Sequence, residues 1–256
     1  MGRKVAFVTG ASRVTGKGIA LVLGKSYDVG ITYVNNKEGA MDTVRQIEDM
    51  GGRAKAYRCD ARDLDTMRLV MEGFADDFGR FDVMINNTGI TRFYDFLDTT
   101  VEQYDEVVDI NLKGTYFTAQ AAARKMVGFN NGGVILNISS IHALGTWPGD
   151  TLYATTKAAI CRLTQAMALD LAPHKIRVVC LAPGYIETGW QNSSEEAMER
   201  KRKAVSRIPL QRFISGEEVG DICEFLVSDK AGYVTGVTLF AEGGALLPIV
   251  TDNNYT

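Results

Sequence analysis

Short runs of almost unbroken apolar residues, at 5–8, 29–34, 54–59, 83–86, 134–138, 177–182 and 238–241, alternate along the chain with stretches of helical periodicity at 18–25, 38–50, 64–78, 101–126, 151–171 and 217–228. A strand that is apolar at nearly every position has to be buried on both faces. That is the condition of a parallel sheet sandwiched between helices. Right-handed crossovers between such strands yield a doubly wound α/β fold of about seven strands, with ligands held beyond the carboxyl ends of the strands. No linker interrupts the pattern: the five prolines are scattered and no low-complexity tract appears. The expectation is one domain over residues 1–256.

The first run feeds Thr9-Gly10-Ala11-Ser12-Arg13-Val14-Thr15-Gly16-Lys17-Gly18, a glycine-bearing turn followed by a helical pattern. A turn of this kind presents backbone N–H groups and a helix N-terminus to a pyrophosphate. Further on, Tyr153 and Lys157 lie four residues apart within a helical pattern, so they share a face. A fixed cation near a phenol stabilises the phenolate, which makes Tyr153 a candidate general acid or base. Ser140, thirteen residues upstream at the end of an apolar run, is the candidate partner on a substrate oxygen.

These features have company: Asp60, Asn86-Asn87-Thr88-Gly89, Asn111-Leu112-Lys113-Gly114, Pro183-Gly184-Tyr185-Ile186-Glu187-Thr188 and Gly243-Gly244, in that order along the chain. Together the motifs resemble those of the short-chain dehydrogenase/reductase family. The resemblance implies that Tyr153 exchanges a proton with the substrate, Ser140 hydrogen-bonds its oxygen, and Lys157 binds the nicotinamide ribose. It implies that Asn111 holds a water linking the lysine to solvent, although stabilising a helix kink is an alternative role for it. Cofactor contacts are implied for Gly10, Ser12, Arg13, Gly16, Asp60, Asn87, Gly89, Tyr153, Lys157, Pro183, Gly184, Ile186 and Thr188. Asp60 would accept from the adenine amino group, unless it caps the next helix, where Asp63 sits better.

One position departs from the family pattern. Val14 stands where the middle glycine of the turn is usual, in an ungapped alignment. The alternative is a two-residue insertion making Gly16 and Gly18 the second and third glycines. A β-branched residue is costly wherever φ is positive, so Val14 is expected either to weaken cofactor binding or to mark a rebuilt turn. Thr88 for the usual alanine is a mild change.

The second apolar run ends Tyr33-Val34-Asn35-Asn36-Lys37, without the acid that bonds the ribose diol of NAD and repels a 2′-phosphate. With Arg13 and Lys37 able to face a phosphate, NADP(H) is expected over NAD(H). Residues 187–212 are charged, lack a strand pattern and are expected to cover the substrate as a lid. Phe93, Tyr94, Trp147, Tyr185 and Trp190 are aromatic residues near the inferred mouth. Segments such as Ser139-Ser140-Ile141-His142 with Trp147-Pro148 resemble the glucose 1-dehydrogenase branch, whereas Ile208-Pro209-Leu210-Gln211-Arg212-Phe213 equally resembles 3-oxoacyl-[acyl-carrier-protein] reductases. The substrate is therefore expected to be a small alcohol or carbonyl compound of sugar or 3-oxoacyl type. A rival reading, a catalytically silent relative serving as a binding or assembly module, rests on Val14 alone.

The net charge of −3 offers no case for binding nucleic acid or an anionic membrane, and the run Arg200-Lys201-Arg202-Lys203 reads as a solvated helix face. Two histidines and four well-separated cysteines provide no metal cluster, and the cysteines read as small buried hydrophobes of a reducing compartment. Without a signal-like or membrane-length segment, the cytoplasm is the expected location. The resemblance also implies a homotetramer, with the apolar stretch at 245–250 a candidate for covering a neighbouring subunit.

Overall fold

The computed structural model describes residues 2–247, except for the side chain of Trp190. The expected role of Trp190 at the mouth and the part of the apolar stretch after Leu247 therefore lie outside the described residues. Seven strands, β1 (Lys4–Val8), β2 (Tyr27–Tyr33), β3 (Ala54–Arg58), β4 (Val83–Asn86), β5 (Gly133–Ile138), β6 (Ile176–Pro183) and β7 (Thr238–Ala241), form one sheet. Its order is β3-β2-β1-β4-β5-β6-β7, with every pairing parallel. Chain direction across the sheet reverses between β1 and β4, which opens a crevice at their carboxyl ends.

Helices cover both faces, as the unbroken apolar strands require. Against one face pack α1 (Val14–Gly24), α2 (Lys37–Asp49) and α8 (Gly216–Val227), through Ile19, Leu23, Val44, Ile47, Val219 and Leu226. Against the other pack α3 (Leu64–Phe78), α5 (Gly114–Phe129) and α6 (Thr151–Leu171), through Met71, Phe74, Ala122, Met126 and Ala168. Two further helices are α4 (Val101–Val108), which packs against α6, and α7 (Glu195–Val205). The segment expected to be helical at 101–126 is helical throughout, but Asp109–Lys113 between α4 and α5 is π-helical. The extra residue that such a segment accommodates re-aims one side chain, and that side chain is Asn111.

The glycine turn follows the ungapped alignment. A Cβ on Gly16 would lie 2.3 Å from the Gly10 carbonyl oxygen and 2.7 Å from Asn87 Nδ2, so the turn closes only around a bare backbone there. Gly18 has a different task, since a Cβ on it would meet the Gly216 carbonyl carbon at 2.2 Å where α1 and α8 touch. Val14 is not accommodated by rebuilding the turn; it takes the left-handed backbone itself, with φ 43°. A left-handed conformation costs an L-residue about 1–2 kcal/mol. Val14→Gly should therefore raise stability by about 0.5–1 kcal/mol after allowing for the greater freedom of glycine in the unfolded chain. Urea unfolding measures this, and a fall in the midpoint would contradict the strain.

Candidate active site

The carboxyl end of β5 and the first turns of α6 bring the chemistry together. Lys157 is 4% exposed, and its ammonium donates to the carbonyl oxygen of Ile138, the last residue of β5, at 3.0 Å. Ser139 returns the tie by donating from Oγ to the Lys157 carbonyl at 2.8 Å. Tyr153, one turn earlier, presents its ring 5.5 Å from the Lys157 ammonium. Ser140 is buried and accepts at Oγ from the His142 backbone N–H at 3.3 Å. Beneath this pair runs a buried polar chain: Asn86 donates to Asn137 at 2.9 Å, and Asn137 donates to Thr164 of α6 at 2.9 Å. A polar chain satisfied at every link fixes how β4, β5 and α6 meet, because any slip would leave a buried amide unpaired.

Asn111 is fully buried in the π-helical segment. Its Oδ1 accepts from Ile90 N at 2.8 Å, and its Nδ2 donates to Ile90 O at 2.9 Å and to Thr156 Oγ1 at 3.2 Å. The asparagine thus pins the loop after β4 to α6 from the π-helical step in its own helix. Between them lies Gly89, where a Cβ would stand 3.3 Å from Asn111 Oδ1 and 3.4 Å from Lys157 Nζ. Asn87 joins that loop to the glycine turn, with Nδ2 donating to Thr9 O at 2.9 Å and to Gly10 O at 3.3 Å.

Five helices are capped by a side chain, namely α2 by Asn36, α3 by Asp63, α4 by Thr100, α7 by Ser194 and α8 by Ser215. At the glycine turn, α1 has Arg13 at the N-cap position, with no side-chain cap and no acidic residue in its first turn. Its leading N–H groups remain available to an anion, in a cradle from which Gly16 keeps side-chain bulk away. These residues fit the diphosphate of a dinucleotide. Past β2, Asn36 Nδ2 donates to Ser12 O at 3.0 Å, joining the turn to α2. Arg13 and Lys37 are exposed and take part in no ion pair among the described residues. Asp60 does not cap α3, a task that falls to Asp63. Arg62 meets the Asp60 carboxylate at 2.6 Å and holds it below the usual carboxylate range.

A cleft of about 160 Å³ is lined by Asn87, Gly89, Ser140, Tyr153, Lys157, Pro183, Gly184 and Ile186, together with Thr15, Thr91, Ile138 and Ser139. Eight of the proposed site residues therefore face one space. Gly10, Ser12, Arg13 and Gly16 form the adjoining turn, Asp60 stands further along the sheet after β3, and Asn111 supports the cleft from behind. Thr188 is not part of the lining: its Oγ donates to Gln191 Oε1 at 3.0 Å, and Gln191 in turn donates to Ile186 O at 2.9 Å. A larger hollow of about 720 Å³ opens on the other side of Gly184, lined by apolar groups such as Tyr185, Leu210, Phe240 and Leu247. It lacks Ser140, Tyr153 and Lys157, so the smaller cleft is the candidate site.

The sequence reading needs correction along residues 187–212. The basic run is not wholly solvated, because Lys201 of α7 reaches Glu187 at 2.5 Å and stands 5.8 Å from the Phe213 ring. The sequence does not pair Asp150 with His142, which meet beside Tyr153. A signal existed, since Asp150 precedes a helical pattern as a capping residue would, but nothing in one dimension shows that its side chain turns to the histidine. The cysteines are free, with Cys59, Cys180 and Cys223 buried and Cys161 partly so.

Comparison with known proteins agrees with this geometry. Residues 10–245 match the family model described as enoyl-(acyl carrier protein) reductase. The chain is 36% identical to glucose 1-dehydrogenase 2 of Bacillus subtilis, over 95% of each chain. It is also 36% identical to a 3-oxoacyl-[acyl-carrier-protein] reductase of Staphylococcus aureus, over 94% of this chain and 97% of that one. The crystal structure of acetoin dehydrogenase from Enterobacter cloacae superposes with a TM-score of 0.90 at 34% identity, covering 98% of this chain and 99% of that chain. With the motifs in order, the sheet in the expected sequence and relatives matched along almost the whole length, the chain belongs to the short-chain dehydrogenase/reductase family of oxidoreductases.

Proposed function

We propose that the protein is an NADP(H)-preferring oxidoreductase that interconverts an alcohol and a carbonyl compound at the Ser140/Tyr153/Lys157 cleft. The observation that carries the reading is a buried ammonium one turn from a partly open phenol, both bordering a cleft that continues to an uncapped helix N-terminus. A nicotinamide dinucleotide supplies or accepts the hydride. In the reductive direction Tyr153 gives its phenolic proton to the substrate oxygen as that oxygen gains charge, while Ser140 donates a hydrogen bond to the same atom. Lys157 stabilises the phenolate left behind and holds the ribose hydroxyls. Asn111 keeps Gly89, Ile90 and α6 in register around the lysine, and its place in the π-helical segment suits a water-mediated path for reprotonation.

The glycine turn, from Gly10 to Gly16, holds the diphosphate. Asn87, Gly89, Pro183, Gly184 and Ile186 line the nicotinamide end, Thr188 meets its carboxamide by exchanging the bond to Gln191, and Asp60 faces the adenine. Residues 187–212 act as the lid, with the Lys201–Glu187 pair as a latch. The resemblance to tetrameric family members extends to a candidate contact surface, since Phe96, Leu97 and Val101 are largely exposed beside α4. The substrates named for the relatives place a sugar, an acyl thioester or a hydroxy ketone among the candidates.

Replacing Tyr153 with phenylalanine should lower kcat by about 10²–10⁴, the usual contribution of a positioned acid or base, and leave nucleotide affinity within a few-fold. Initial rates and fluorescence titration check this, and undiminished turnover would remove the mechanism. Absence of an acid at the end of β2, with Arg13 and Lys37 unpaired beside the turn, supports NADP(H). The kcat/KM for NADPH should exceed that for NADH, and Arg13→Ala with Lys37→Ala should narrow the gap about tenfold by raising the NADPH KM. A strong preference for NADH in the unmodified chain would refute the assignment.

A further inference from the structure

We infer that Cys161 and Cys180 form a redox site, at which a peroxide converts the two thiols into a disulfide that loosens the hold on Lys157. The site stands on the geometry of α6 and β6; its effect on cofactor binding rests on the oxidoreductase reading above.

The pairing follows from how α6 lies on the sheet. In β6, Ile176 and Val178 pack into the core cluster under α5 and α6, whereas Val179 and Leu181 pack into the opposite one, so the alternation points Cys180 to the α6 face. Its register partner on β5 is Asn137, whose side chain reaches Thr164 of α6. On α6 itself, Lys157, Cys161, Thr164 and Ala168 recur at helical spacing and form one stripe. The Cys161 thiol donates to Ser139 Oγ at 3.3 Å, and Thr238 of β7 is the register partner of Cys180 on its other side. Within this corner the two thiols are in hydrogen-bonding contact.

Their surroundings differ in a way that suits a stepwise oxidation. Cys161 is partly exposed, and hydrogen bonding with Cys180, then with Ser139 and Thr238, together with the Lys157 ammonium, holds its thiol below the usual cysteine range. A thiolate within reach of solvent is the form that a peroxide oxidises. Cys180 is fully buried, and the bond to Cys161 and burial hold its thiol high, so it keeps its proton until its neighbour has reacted. Cys59 and Cys223 lie in opposite core clusters, where burial raises both thiols.

The Cys161 sulfur attacks one peroxide oxygen: an S–O bond forms, the O–O bond breaks, and the other oxygen leaves as hydroxide, which takes up the thiol proton. The Cys180 sulfur then attacks the Cys161 sulfur. An S–S bond forms as the S–O bond breaks, and the departing hydroxide carries off the Cys180 proton as water. Two thiols and one hydrogen peroxide become one disulfide and two waters, with two electrons passing from sulfur to oxygen. Ser139, the acceptor for Cys161, also donates to the Lys157 carbonyl at 2.8 Å. The disulfide withdraws the Cys161 proton from that serine and ties α6 to β6 one turn beyond Lys157.

The test treats the reduced full chain with hydrogen peroxide, blocks free thiols with iodoacetamide in urea and maps the peptides by mass spectrometry without reduction. A peptide pair joined through Cys161 and Cys180 is expected, with Cys59 and Cys223 alkylated, and dithiothreitol should release it. Cys180→Ala should leave Cys161 as a sulfenic acid that dimedone traps, whereas Cys161→Ser should leave Cys180 alkylated. Thermal melting reports whether each variant folds, and either one alone shows which thiol the peroxide meets first. Fluorescence titration with NADPH and with NADH should find affinity lowered about fivefold or more in the oxidised chain, the lower end of ordinary coupling between sites, and restored by dithiothreitol. Alkylation of every cysteine after peroxide, links made by another cysteine, or a disulfide that leaves dinucleotide affinity unchanged overturns the inference. A reduced chain that binds neither dinucleotide would bring down the oxidoreductase reading, while the peptide map still decides the redox site.

Discussion

The arrangement depends on keeping one ammonium group out of water. Burying a charge of that size without partners costs on the order of several kcal/mol, so the fold has to supply oxygens and deny alternatives. Lys157 finds the carbonyl of Ile138 at the end of β5, and Ser139 fastens the lysine's own backbone to the same corner. Gly89 leaves room for the charge, and Asn111 holds the backbone that carries Gly89. Remove the lysine and these constraints lose their common purpose. The phenol above it would then lose the nearest positive charge in its cleft.

Topology explains why so many distant residues meet. Parallel strands end on the same side of the sheet, so the loops after β1, β4, β5 and β6 share one rim. The reversal between β1 and β4 parts two crossover layers and leaves room for an elongated ligand across that rim. The turn after β1 offers N–H groups, the loop after β4 offers Asn87 and Gly89, and the end of β5 with α6 offers Ser140, Tyr153 and Lys157. Electrostatics follow the same division. One end is a helix terminus without a side-chain cap, suited to an anion, whereas the other is anchored by a buried cation beside a phenol.

The sheet was legible because its inner strands, such as β4, β5 and β6, are apolar on both faces, which leaves little ambiguity in a chain that also alternates with amphipathic helices. All seven expected strands form, and the starts of α3 and α6 fall at Leu64 and Thr151 as the periodicity indicates. Tyr153, Lys157 and Ser140 were legible because helical spacing and the end of an apolar run are local properties. Features decided by long-range contacts were not. The π-helical segment at Asn111 preserves the helical pattern in sequence while shifting one residue in space. Lys201 looks like its basic neighbours until α7 folds back on Glu187. Val14 signals strain correctly, but only the backbone reveals that the strain is retained instead of relieved by a different turn. Asp150 stands where a cap would, and its contact with His142 becomes visible only in the folded loop between them.

The most direct measurement is a crystal structure of the protein with NADPH bound. The account predicts diphosphate at the first turn of α1, the nicotinamide ribose hydroxyls within hydrogen-bonding reach of Lys157 Nζ and Tyr153 Oη, and the nicotinamide ring over the space that Ser140 borders. A dinucleotide seated elsewhere on the chain, or one whose ribose lies out of reach of Lys157 and Tyr153, would contradict it.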